Sequence, residues 1–336
     1  MRSDRYSRQS IFAGLGAEGQ SKLSRARVAV IGLGALGTVI ANNLCRAGIG
    51  FLRLVDRDYV EISNLQRQML FTEEDAKEEL PKAVAAGRHL AAVNSETVVE
   101  PLVADVNSGS VMALLSDVDL VLDGTDNFET RYLINEACHK LSLPWIYGGA
   151  LAAEGGTMNI LPEGPCFRCL SPEVPAPGSY QTCGTAGVLN MITGAVASLE
   201  SAEAVKILTG SPAVSRAYFS LDIWRNTARY VEIARDPDCP VCARGEYEFL
   251  FRRQGSYSAA LCGREAVQIA PPAGTKVDLP RLAEGLRQIG AVRLSPYMLS
   301  FTGGVAFNLF PDGRAIIKNA RDEAAALSVY AEYIGL

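Results

Sequence analysis

The sequence predicts an open α/β sheet with helices on both faces, followed by a small α+β extension. Three observations carry this. Residues 28–31 (VAVI) form an apolar run suited to a buried strand. Gly32, Gly34 and Gly37 follow as G-x-G-x-x-G, then a helical pattern over 38–47 and a strand over 51–55 that ends in Asp56. Strand-like runs at 97–104, 119–123, 145–150 and 155–161 alternate with helical patterns at 82–92, 107–115 and 128–141, the order expected of a mostly parallel sheet. Past residue 244 the pattern changes to short strand-like runs separated by turn residues.

Residues 5–20 precede the first strand and show little hydrophobic periodicity, so on its own terms Arg8 lies in a solvated arm. Residues 14–24 read as a short helix. In the loop that follows, the glycines provide a tight turn, close backbone approach to phosphate, and close helix–strand contact. Phosphates sit on the exposed N–H groups of a helix N-terminus, and Asp56 is placed to accept hydrogen bonds from a ribose. The unit therefore predicts adenine-nucleotide binding. A nicotinamide dinucleotide is the default ligand of such a fingerprint. Here, however, Asp58, Asn64, Arg67 and Gln68 follow directly, in D-x-D and N-L-Q-R-Q. A hydride-transfer site has no need for that polar cluster. A nucleotidyl-transfer site does, because charge builds on a phosphate that must be held and neutralised.

Residues 71–80 read as an acidic helix. Pro81 suits the first turn of the next one. Lys82 then sits near a helix N-terminus, where a cation is not favoured, so a surface lysine and a functional one both remain open. Asp126 lies just past the strand over 119–123, the edge at which open α/β sheets bind ligands. It fits a magnesium ligand, an N-cap for 128–141, or both; Asn127 and Arg131 are further nucleotide-side candidates. Cys166 and Cys169 form one C-x-x-C pair, Cys239 and Cys242 another. Two such knuckles predict a closed four-thiolate zinc site, structural because it leaves no open coordination position; free thiols or a redox pair are the alternatives.

Between the pairs, 172–183 is rich in Pro, Gly and Ser and reads as a crossover loop. Cys183 ends it, just before a helix over 185–209. That position lowers a thiol pKa and suits a nucleophile, though an unreactive exposed thiol fits as well. Cys45, Cys138 and Cys262 read as small core residues. Strands over 217–224 and 228–233 complete the sheet. The expected domains are 1–244 and 245–336. The second holds strands at 247–252, 258–262, 265–270, 298–302, 305–310 and 314–318 and helices at 278–289 and 321–334, with Asp312-Gly313 as a hairpin turn.

The 336 residues are 48% hydrophobic and 21% charged with net charge −5, so nothing marks a nucleic-acid partner. No apolar run reaches the roughly 18 residues of a membrane span, and the polar N-terminus has no signal-peptide core. The expected location is the cytoplasm, where eight cysteines more often bind metal or do chemistry than form disulfides.

Over residues 5–242 the chain resembles the ThiF/MoeB/HesA family, the bacterial relatives of ubiquitin-activating enzymes. The matching segments are RYSRQ (5–9), the glycine loop, DRDYVEISNLQRQ (56–68), PKA (81–83), DGTDNFETR (123–131), both C-x-x-C pairs and TCG (182–184). The resemblance implies a Rossmann-like fold that uses ATP, Mg2+ and structural Zn2+. It implies a homodimer in which Arg8 reaches into the partner's nucleotide site. By the same match Lys82 contacts ATP phosphates, Asp126 sits beside Mg–ATP, and Cys183 is the cysteine able to link covalently to a carrier. The implied reaction is adenylation of the C-terminal Gly-Gly carboxylate of a ubiquitin-like sulfur-carrier protein, with a cysteine-desulfurase-type sulfur donor.

Thiamine synthesis is the first choice of pathway and molybdopterin synthesis the alternative; a third branch of the family modifies a tRNA base. A NAD-binding oxidoreductase would leave Arg67, Lys82 and Asp126 unexplained. The C-terminal stretch resembles the extension of some ThiF-like proteins and lacks the catalytic-cysteine loop of a rhodanese domain.

Overall fold

The computed structural model describes residues 4–175, 181, 183–252, 257–260, 266–272 and 275–335. Helices α1 (Ser7–Ser10) and α2 (Gly16–Leu23) precede β1 (Arg27–Ile31). Then come α3 (Gly37–Ala47), β2 (Phe51–Asp56), α4 (Glu73–Lys77), α5 (Lys82–Val93), β3 (Val98–Val103), α6 (Val111–Leu114), β4 (Leu120–Asp123) and α7 (Phe128–Leu141). They are followed by β5 (Trp145–Leu151), β6 (Glu154–Ile160), α8 (Phe167–Leu170), α9 (Cys183–Ala186), α10 (Asn190–Thr209), β7 (Tyr218–Asp222) and β8 (Thr227–Val231). Among the described residues the strand order is β3-β2-β1-β4-β5-β6-β7-β8. Pairing is parallel from β3 to β5 and antiparallel from β5 to β8.

Strand alternation sends Val28, Val30, Leu52, Leu54, Leu120 and Leu122 to one face, where they meet Ile40 and Leu44 of α3, Leu90 of α5 and Val196 of α10. Ala29, Ile31, Val55 and Val121 go to the other face and meet Leu133, Ile134 and Ala137 of α7 with Phe167 of α8. Burial on both faces is why these strands read as unbroken apolar runs.

Several expected elements are shorter than their sequence patterns. The helix expected over 71–80 is α4 alone, capped by Thr72 and Asp75 and ended by Glu79 at φ 50°. The helix expected over 107–115 is only α6. Asn107 Oδ1 accepts the N–H groups of Gly109 and Ser110, and this side-chain turn delays the helix. The helix expected over 185–209 splits into α9 and α10 at Gly187, which sits at φ 73°. Pro81 is the N-cap of α5 rather than part of its first turn. No strand forms over 247–252. There the Leu250 N–H is held by Glu136 Oε2 at 2.8 Å, and Phe249 stacks on Tyr132, so the backbone has no strand partner.

The chain divides into two compact units: residues 1–181 with 186–252, and 182–185 with 253–336. Residues 247–252 thus pack with the first unit. The second contains β9 (Tyr257–Ala260), β10 (Ala266–Ala270), α11 (Leu279–Leu286), β11 (Ala291–Leu294), β12 (Leu299–Thr302), β13 (Ala306–Leu309), β14 (Ala315–Lys318) and α12 (Glu323–Tyr333). Among the described residues its antiparallel sheet runs β11-β12-β13-β14-β10-β9. Val267, Ile269, Phe301, Phe307, Leu309 and Ile317 pack against Leu279, Ala283 and Leu286 of α11 and Ala326 and Tyr330 of α12. The hairpin at Asp312-Gly313 is present, with Gly313 at φ 79°. β11 was not expected, because its exposed and half-buried residues give little apolar signal.

Candidate nucleotide and metal sites

The strand order reverses between β1 and β4, and such a switch point opens the crevice in which α/β sheets bind ligands. The glycine loop after β1 and the loop after β4 meet there. Gly32 has φ 85°, and its N–H reaches Val55 O at 2.8 Å. A Cβ on Gly37 would lie 1.8 Å from Gly32 O, and one on Gly124 would lie 2.3 Å from the same oxygen. The two loops therefore touch main chain to main chain. Gly34 is less constrained, with Gly124 O at 3.7 Å from an added Cβ.

Asp56 at the end of β2 is buried. Its Oδ2 accepts Leu33 N–H at 2.6 Å and its Oδ1 accepts Asp58 N–H at 2.7 Å. The carboxylate thus shapes the glycine loop and the turn after β2. Burial raises its pKa, against the opposing pull of Lys82.

Lys82 is 5% exposed, which removes the surface-lysine reading. Its N–H donates to Asp58 O at 2.8 Å, and its Nζ lies 3.3 Å from Asp58 Oδ2. These acidic neighbours offset the cost of a cation at a helix start. Asn64 ends a 3-10 turn, Ile62–Asn64, and its Oδ1 accepts Glu61 N–H at 3.1 Å. Arg67 is half-buried with Nη1 on Ser63 O, 3.0 Å away. Gln68 is buried, and its Oε1 has no hydrogen-bond partner among the described residues. Asp56, Asp58 and Lys82 are thus gathered around the end of β2 and the start of α5, and Asn64 and Gln68 lie in the connection between the two elements.

Beyond β4, Asp126 is exposed. The N-cap of α7 is Asn127, whose Oδ1 accepts Thr130 N–H at 2.8 Å; Asp126 does not cap the helix. Arg131 is buried. Its Nε donates to Asp123 Oδ2 at 3.0 Å, and its Nη2 donates to Thr125 O at 2.7 Å and Gly148 O at 3.0 Å. Burial lowers the Arg131 pKa, but Asp123, Tyr147 and Asp126 together outweigh it and the net shift is upward. Asn127 and Arg131 therefore brace the loop that displays Asp126; their side chains are engaged with the fold. Asp123 completes the brace by accepting Thr125 N–H and Oγ1–H at 2.8 and 2.6 Å.

Glu200 of α10 escaped the sequence reading. It is fully buried, with neither carboxyl oxygen partnered among the described residues. A Cβ on Gly148 would fall 2.0 Å from Glu200 Oε1. Burial first, then the nearby Asp123, raise its pKa well above the ordinary value.

At the N-terminus Gln9 Nε2 donates to Gln20 Oε1 at 2.6 Å and to Ala47 O at 2.9 Å. The arm is docked on its own chain, and Arg8 is exposed on α1. Cys183 opens α9; its side chain lies outside the described residues, as does Cys262. Cys45 and Cys138 are core residues.

Cys166, Cys169, Cys239 and Cys242 bring four sulfurs within 4.8 Å of one another. Cys166 faces Cys239 at 3.6 Å and Cys169 faces Cys242 at 3.5 Å. A tetrahedral zinc shell with Zn–S bonds of about 2.3 Å has sulfurs about 3.8 Å apart, so the donor set fits that ion. Asp236 N–H points at Cys169 Sγ, 3.5 Å away. Among the described residues no helix is long and apolar enough to cross a membrane.

The ThiF family model matches residues 6–241. The chain is 42% identical over 336 residues to the sulfur carrier protein ThiS adenylyltransferase of Bacillus subtilis, covering 98% of this chain and 99% of that one. It is 40% identical to the SAMP-activating enzyme E1 of Haloferax volcanii, over 72% of this chain and 89% of the relative. Among solved structures, Escherichia coli MccB with MccA-N7isoASN superposes with a TM-score of 0.64 at 23% identity, over 72% of this chain and 75% of that one, a likeness of fold.

Proposed function

The chain belongs to the ThiF family, and from that premise we propose that it adenylates the C-terminal Gly-Gly carboxylate of a ubiquitin-like sulfur-carrier protein in thiamine biosynthesis. One observation carries the pathway. Likeness to the ThiS adenylyltransferase runs through the C-terminal unit, 98% of this chain, whereas likeness to the SAMP-activating enzyme covers 72%.

In the reaction a carrier carboxylate oxygen attacks the α-phosphorus of ATP. The bond from that phosphorus to the bridging oxygen breaks, and pyrophosphate leaves. The carboxylate is already a competent nucleophile, so no general base is needed, and catalysis is positioning with charge neutralisation. The glycine loop and Asp56 hold the nucleotide. Lys82, fixed by Asp58, and Arg67, with Asn64 and Gln68 beside them, face the phosphates. Arg8 serves a partner subunit's site in a homodimer.

Asp126 would hold Mg2+, which supplies charge neutralisation at the phosphates. The four cysteines would hold a structural Zn2+. Cys183 serves the later transfer of sulfur from a cysteine-desulfurase-type donor. ATP–pyrophosphate exchange with purified carriers tests the reading. Exchange that depends on a thiamine-type carrier supports it, exchange with a molybdopterin-type carrier alone reassigns the pathway, and no exchange with either refutes the reaction.

A further inference from the structure

Resting on the adenylyltransferase reading, we propose that α7 is a strut tying the four-cysteine centre to the loop that displays Asp126, with Asn135 and Glu136 as the positioning residues that set it.

At its N-terminal end the helix and the loop form one piece. Asn127 caps α7, and Arg131 grips Asp123, Thr125 O and Gly148 O from the first turn. The following turns grip the chain on either side of the cysteines. Tyr132 Oη lies 3.0 Å from Ser171 O and 2.9 Å from Glu173 O, just past the first pair. Asn135 Oδ1 accepts the N–H of Phe167, inside that pair, at 2.9 Å. Glu136 Oε2 accepts the N–H of Leu250, past the second pair, at 2.8 Å. His139 Nδ1 meets Tyr247 Oη at 3.0 Å. Positions 132, 135, 136 and 139 share one helix face by their spacing.

Tyr132, Asn135 and Glu136 are all buried. A polar grip in such a place is costly to break, because the freed backbone donor has no water to turn to. Chain segments far apart in sequence meet at the four sulfurs, and each is also held by the helix that begins two residues after Asp126. A cluster that served only to close the chain would not need these grips on one helix. With them, a shift of either knuckle moves α7 along its axis and carries the Asp126 loop with it.

Glu136→Leu keeps the side-chain bulk and removes the acceptor, whereas Glu136→Gln keeps a carbonyl acceptor. For the full-length protein and both variants, zinc content, calorimetric affinity for AMP and for MgATP, and the Mg2+ half-saturation of pyrophosphate exchange are measured. In Glu136→Leu we expect zinc and AMP affinity to be retained while MgATP affinity and Mg2+ half-saturation worsen about tenfold, the size typical of residues that orient a metal site from behind. Glu136→Gln restores both.

Unchanged Mg2+ dependence in a zinc-loaded Glu136→Leu variant, or equal weakening for AMP and MgATP, overturns the proposal. If that variant does not fold, chelation of zinc from the unaltered protein makes the same comparison. Loss of MgATP binding with AMP binding kept supports the strut; both kept or both lost overturns it. An unaltered protein that binds neither nucleotide removes the adenylyltransferase reading and the strut with it. One that binds and exchanges normally, beside a variant that treats both nucleotides alike, removes the strut alone.

Discussion

Glu200→Gln should stabilise the protein increasingly as pH rises. Glu200 is enclosed by α10 and the backbone at Gly148, with no partner for either oxygen among the described residues and its pKa raised well above 4.5 by burial and then by Asp123. In the unfolded chain the same carboxyl ionises near its ordinary value of about 4.3. Above that pH the unfolded state releases a proton that the folded state retains. The contribution of the acid form to stability is therefore complete below the unfolded pKa and is lost as pH rises toward the raised folded pKa.

The loss is about 1.4 kcal/mol per pH unit for a single proton. Glutamine keeps the shape and cannot ionise. Its unpaired amide costs about 1–3 kcal/mol, the same at every pH, so the slope separates the two effects. Urea denaturation at pH 5.5, 6.5 and 7.5 reads the difference in unfolding free energy between variant and parent. Across those pH values it should move steadily in favour of the variant, by at most about 1.4 kcal/mol per pH unit for as long as the folded-state carboxyl keeps its proton. Parallel pH profiles would refute the reasoning and mean that Glu200 ionises in the fold or is paired there.

The remaining predictions concern the two candidate sites. Lys82→Met removes the cation proposed to face the phosphates and should lower carrier-dependent pyrophosphate exchange by about 10²–10³-fold, with the circular dichroism spectrum unchanged; retained exchange removes Lys82 from the site. Gly37→Ala places a methyl 1.8 Å from Gly32 O, a main-chain atom that cannot rotate aside, so calorimetry should find AMP binding abolished. Atomic absorption should give one zinc per chain. Cys166→Ser should lose it and melt roughly 10 °C lower, taking about 3–4 kcal/mol of net metal stabilisation at 2–4 °C per kcal/mol. Cys45→Ser should keep its zinc.

Features written in local sequence were legible. The βαβ unit announces itself through glycine spacing and strand periodicity, and the four cysteines through their pairing. What sequence could not give depends on contacts between distant segments. Arg131 looked like a nucleotide-side residue because it follows Asp126 closely. Its actual partners include Gly148 O, 17 residues away on β5, which no local pattern reveals. Glu200 lies in a stretch with clear helical period, which by itself does not show that its carboxyl is enclosed. Its burial arises because α10 crosses β5 where Gly148 has no side chain. Lys82 remained open because the compensating charge, Asp58, precedes it by 24 residues. The strand expected over 247–252 failed because a carboxylate, rather than a neighbouring strand, takes its backbone donor.

The main-chain contact between Gly32, Gly37 and Gly124 has a consequence for engineering. With carbonyl and Cα atoms already at packing distance, neither loop can absorb an inserted residue or a change of backbone path by itself. A nucleotide-binding segment grafted from a relative will seat only if residues 28–37 and 120–125 travel as a matched pair, although 82 positions separate the ends of these two pieces. Libraries that diversify one loop alone should return mostly parental sequence.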